Sequence, residues 1–91
     1  MKFPLGRIVW TRGVNDRVVI DTLFTKFVME SLKRHARCDW GELSVEDKGE
    51  NDFSMDKQRR LLSSYQHKGI KIWIITEADR SVTTILFPSE Y

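Results

Sequence analysis

With 91 residues, 41% of them apolar and 31% charged, the chain has material for one modest core and is read as one domain over 1–91. This balance excludes a disordered segment, and the apolar-rich runs 70–76 and 82–88 are far shorter than the roughly 20 residues that span a bilayer, so no membrane partner is expected. The net charge of +2 does not by itself argue for nucleic acid, but it divides into +5 over 1–37, −6 over 38–56 and +3 over 57–91.

In chain order, Gly6-Arg7-Ile8-Val9-Trp10-Thr11 is short, β-branched and aromatic, and predicts a strand that turns near Gly13. A helix is expected from about Asp16, with Asn15 or Asp16 accepting from its free N–H groups. Ile20, Leu23, Phe24, Phe27, Val28 and Leu32 recur at spacings of three and four and give it one apolar stripe. Lys33, Arg34, His35 and Arg37 occupy its last turns, where cations meet unpaired carbonyls.

Asp39-Trp40-Gly41 reads as a turn whose indole folds back onto the core. Ser44 is an N-cap candidate for a short polar helix over 45–57, with Asp47 at the capping-box position and Phe53, Val45 or Met55 as its anchors. From Arg60 the period becomes strand-like. Segments 61–65 and 71–76 are joined through Gln66-His67-Lys68-Gly69, and Ala78-Asp79-Arg80 leads into 81–87, which Pro88 ends. Connections this short force antiparallel neighbours. The fold class is therefore α+β: an N-terminal strand, one amphipathic helix, one short polar helix and a three-stranded antiparallel meander.

The blocks Asp39-Trp40-Gly41-Glu42-Leu43, Glu46-Asp47 with Asn51-Asp52, Arg60-Leu61-Leu62-Ser63-Ser64-Tyr65, the run 72–86, and the ending Glu90-Tyr91 resemble a family of short bacterial proteins labelled plasmid-related, and sometimes a type I restriction endonuclease M subunit. The likeness covers about residues 38–91 and implies a bacterial, mobile-element setting. It brings no activity to particular residues. Methylation by this chain is rejected, because the glycines at 6, 13, 41, 49 and 69 are too scattered to form a cofactor loop and the chain is too short for the usual parallel-sheet domain.

Three sets of residues are candidates for function. Trp73 and Ile75, with Ile85 and Phe87 on the neighbouring strand, suggest an apolar sheet face for a protein partner or a second copy in a homodimer. Lys33, Arg34, Arg37, Lys57, Arg59 and Arg60 are the basic groups available to nucleic acid. Glu77, Asp79 and Arg80 crowd one hairpin turn, as an anion site or as ordinary turn chemistry. His35 and His67 lack metal spacing and are expected in solvent, no metal or cofactor is predicted, and Cys38 is read as an ordinary unpaired thiol whose pKa the nearby Arg34 and Arg37 would lower.

The sequence thus points first to a non-catalytic interaction or regulatory module. The alternative is a small ribonuclease-like or nucleic-acid-binding protein, in which groups from among Arg59, Arg60, His67, Glu77 or Arg80 would have to converge on a phosphate. Cys38 stands alone, which excludes an internal disulfide. The Met1-Lys2-Phe3-Pro4 start lacks a secretory apolar region, and the cytoplasm is expected.

Overall fold

A computed structural model describes residues 2–91 and places, in order, β1 (Arg7–Trp10), α1 (Arg12–Val18), α2 (Thr22–Ala36), α3 (Val45–Asp56), β2 (Leu61–His67), β3 (Ile70–Thr76), β4 (Val82–Leu86) and a 3-10 turn (Pro88–Glu90). The α+β class and the β2–β3–β4 antiparallel meander are as expected. The sheet nevertheless has four strands, in the order β1-β4-β3-β2, because β1 adds beside β4 and runs parallel to it. Positive φ at Lys68 and Gly69 supplies the tight two-residue reversal between β2 and β3 that primed hairpin turns require.

The single amphipathic helix of the sequence reading is two helices. Thr11 caps α1 by accepting from the Val14 N–H, and Asp21 caps α2 by accepting from the Phe24 N–H, so neither Asn15 nor Asp16 is a cap. Between them the β-branched run Val18-Val19-Ile20 is a poor helix former, and Asp21 offers its backbone a competing bond. The break rotates the apolar stripe. Phe24, Val28 and Leu32 are buried against the sheet, whereas Ile20 and Leu23, expected on that stripe, are 81% and 67% exposed at the corner, beside Val19 at 70%.

Helices α1 and α2 cover one sheet face, where Val14, Phe24, Val28, Leu32, Tyr65, Ile72, Ile74 and Ile85 form the main core. A smaller cluster of Phe3, Trp40 and Leu61 lies beside it, with the Trp40 indole folded inward and donating to Asp52 at 2.9 Å. Helix α3 packs against β2 through Asn51 and Met55. Its expected anchors Phe53 and Val45 are exposed. Ser44 does cap it, accepting from the Asp47 N–H at 3.1 Å.

The two outer strands end the sheet differently. On β2, Ser64 exchanges backbone bonds with Trp40 and Glu42, and the Asn51 amide donates to the Leu62 carbonyl while its oxygen accepts from the Leu62 N–H. That edge is closed over Leu62 and Ser64. On β1, the Arg7 and Thr11 N–H groups bond to β4, so strand alternation turns the backbone groups of Ile8 and Trp10 outward. No described residue bonds to them.

Candidate functional site

The deepest polar feature is a chain of side chains centred on His35. Its imidazole is fully buried at the sheet-facing side of α2, contrary to the solvated position expected from sequence. Nδ1 lies 2.6 Å from Ser63 Oγ and Nε2 lies 2.8 Å from Thr76 Oγ1. Thr76 and Thr83 hydroxyls meet at 2.7 Å, and Thr83 donates to the Leu5 carbonyl at 2.7 Å. The carbonyl only accepts, so it fixes the direction of the protons as far as His35 Nε2, and a neutral ring then leaves Nδ1 as an acceptor. Thr83 spends its hydrogen on Leu5, Thr76 therefore donates to Thr83, His35 Nε2–H donates to Thr76, and Ser63 O–H donates to Nδ1.

Burial, with the Arg80 charge adding to it, pushes the His35 pKa down to about 4 and so favours the neutral imidazole. A serine hydroxyl donating to a histidine is the start of nucleophile activation, but Ser63 is as inaccessible as His35. The edges of Phe3 and Trp40 seal the ring, each with centroids 5.5 Å away. No substrate reaches the pair, and its role is structural. His35 was legible as core: it stands four residues after Ser31 and three after Leu32, in line with the buried stripe.

The hairpin turn of Glu77, Asp79 and Arg80 is similarly engaged. Asp79 accepts from the Ser81 N–H and hydroxyl, which holds its carboxyl below the usual range. Arg80, at a left-handed φ of 62°, donates to the carbonyls of Arg59 at 2.6 Å and Glu77 at 3.1 Å and lies over the Phe3 ring. Its guanidinium ties the β3–β4 turn to the segment following α3. Arg60 pairs with Glu77 at 3.4 Å and donates to the Tyr91 hydroxyl. Arg59, Arg60, Glu77 and Arg80 thus gather at one end of the sheet, but His67 lies at the far end of β2, stacked on Phe27. His67 therefore does not join the other four.

Of the other basic groups, Arg34 is engaged by Asp39 in a two-pronged pair at 2.7 and 3.1 Å and lies over Tyr65. Lys33 is 3.7 Å from Glu30, and Lys57 lies over Phe53, as does Arg59. Arg37 is exposed at the end of α2. Cys38 Sγ points at Met55 Sδ, and burial raises its pKa against a smaller lowering by Lys2, the reverse of the expected shift. Among the described residues, no three His, Cys, Asp or Glu side chains group as a metal would require.

The proposed apolar face is not one face. Register pairs Ile74 with Ile85 and Trp73 with Leu86, so Ile85 belongs to the helix-covered side. Phe87 packs there too, against Phe24. On the opposite side Trp73 meets Tyr91 edge to face at 5.6 Å, and Ile75 is buried. Besides the α1–α2 corner, exposed apolar surface lies along β1 and α2, where Ile8, Trp10 and Met29 are 47%, 37% and 44% exposed. Ile8, Val9, Trp10, Met29, Leu32 and Ile85 line a groove of about 270 Å³ beside the open strand edge. Comparison with protein-family models, curated proteins and solved structures returned no match.

Proposed function

We propose that the chain is a non-catalytic protein-interaction module acting through the β1 side of its sheet. One observation carries this reading: the β2 edge is closed by the chain's own Trp40, Glu42 and Asn51, while the β1 edge stays open with Ile8, Trp10 and Met29 exposed beside it. Natural sheets shield long-lived edges, and an open edge beside apolar side chains is a ready site for another chain. The bacterial mobile-element setting belongs to the same proposal and rests on the resemblance of residues 38–91.

The reading is tested by affinity capture from a bacterial lysate with three baits. These are the unaltered chain, the edge variant Ile8→Lys with Met29→Lys, and the corner variant Ile20→Lys with Leu23→Lys, each first shown folded by thermal melt. The expected outcome is a stoichiometric partner that is lost from the edge bait and kept by the corner bait. A partner kept by the edge bait places the contact elsewhere, and degradation of RNA by the purified chain overturns the non-catalytic reading.

A further inference from the structure

Resting on that interaction reading, we propose that the β1 edge takes up an acidic, extended peptide as a fifth strand. The backbone specifies the shape. The outward N–H and C=O groups of Ile8 and Trp10 are two donors and two acceptors at strand spacing, and only an extended chain lines up partners for all four. A helix laid in the same place leaves them unpaired.

The groove specifies one set of side chains. Ile8 and Trp10 share the helix-covered side with their ladder partners Thr83 and Ile85, and Met29 and Leu32 of α2 form the opposite wall. An added strand therefore points every second side chain into an apolar slot of about 270 Å³. The intervening side chains fall on the open side, where Arg7 projects.

Charge specifies the other set and decides between occupants. Arg7 on β1 and Arg12 at the start of α1 are exposed and form no ion pair among the described residues. The carboxylate at the end of the strand, Glu90, is taken up by the Thr11 hydroxyl and the Gly13 and Phe87 N–H groups, and Lys33 on α2 is paired with Glu30. A second copy docked through β1 would set the basic stretch 7–12 of one chain against that of the other, and such like-charge contacts are unfavourable. An acidic strand is attracted to the same groups. The partner segment thus alternates apolar residues with Asp or Glu.

The probes are acetylated, amidated peptides: one alternating Glu with Val, one alternating Lys with Val, and a Glu–Val peptide N-methylated at every second residue on the edge-facing side. Binding is followed by amide exchange and chemical shift. The Glu–Val peptide is expected to slow exchange at Ile8 and Trp10 by about tenfold or more, leaving the already bonded Val9 amide unchanged. The Lys–Val peptide should bind at least about tenfold more weakly at low ionic strength, with the gap narrowing in salt. The N-methylated peptide should not bind, and Arg7→Glu with Arg12→Glu should reverse the charge preference.

Equal binding by the N-methylated peptide overturns strand addition, and equal binding by the Lys–Val peptide overturns the acidic class. Protection of Ile8 and Trp10 that grows with protein concentration and without peptide makes a second copy the occupant and overturns the proposal. If no peptide binds while the edge bait above still loses its captured partner, this inference fails and the interaction reading stands. If the captured partner also ignores the edge, both fail.

Discussion

The single histidine at position 35 governs how the protein responds to acid. Its folded pKa of about 4 lies below the ordinary 6.5, so between these values the unfolded chain takes up a proton that the folded chain refuses. Stability is full above about pH 6.5, declines as pH falls toward about 4 and then levels off, a total loss of about 3 kcal/mol. Asp21, Asp39, Asp79 and Glu90 are all held below their ordinary carboxyl values, so their share is lost at lower pH. Denaturant midpoints should therefore drop between about pH 6.5 and 4.5, and any folded His35 variant, such as His35→Gln, should flatten that slope. The His35 ring resonances should stay in the neutral form down to about pH 5, and their titration near the ordinary value would contradict the sealed chain Ser63–His35–Thr76–Thr83. The stripe on α2 made His35 visible as a buried position, but its partners lie 28 and 41 residues away, beyond local pattern.

Among the elements, the meander and the α2 stripe were readable because alternation and three-four spacing are set by neighbouring residues. Other features depended on distant contacts. The α1–α2 break needed the competing side chain of Asp21, and the anchoring of α3 came from the polar Asn51 in place of the more apolar Phe53. Asn51→Ala removes both bonds to Leu62 and is expected to cost about 1–3 kcal/mol, with faster exchange of the Leu62 amide. At α1, the Glu90 carboxylate accepts from the Gly13 N–H at 3.0 Å and the Thr11 hydroxyl at 2.5 Å, and a Cβ on residue 13 would press against it. Glu90→Gln should cost about 0.5–1 kcal/mol by removing negative charge from a helix start. Gly13→Ala should be more damaging in the wild-type background than with Glu90→Ala, which a double-mutant cycle of thermal melts will read.

For the whole molecule, charge blocks in the sequence were a poor map of surface fields, since Arg34, Arg60 and Arg80 from basic stretches are taken up by Asp39, Glu77 and backbone carbonyls. The candidate sheet face failed for a related reason: one residue of register decides which side a side chain joins, and Ile85 pairs with Ile74, not with Ile75. Ile74→Ala at the centre of the core should destabilise by about 2–5 kcal/mol, whereas Lys71→Ala on the same strand should stay within about 0.5 kcal/mol; equal losses in denaturant melts would reject this core.

The parallel pairing of β1 with β4 has a consequence for the growing chain on the ribosome. The first strand made is completed by the last, and Gly13 of the first helix receives its carboxylate from a residue 77 positions later. At roughly 5–20 residues per second, β1 and α1 wait several seconds in the exit region before either partner exists. Throughout that interval Ile8 and Trp10 have no strand to join, and the apolar side of α2 has none until β2 and β3 are made. Translation arrested before Val82 should leave a nascent chain that is protease-sensitive and held by chaperones, and release past Tyr91 should bring protection to the N-terminal and C-terminal segments together.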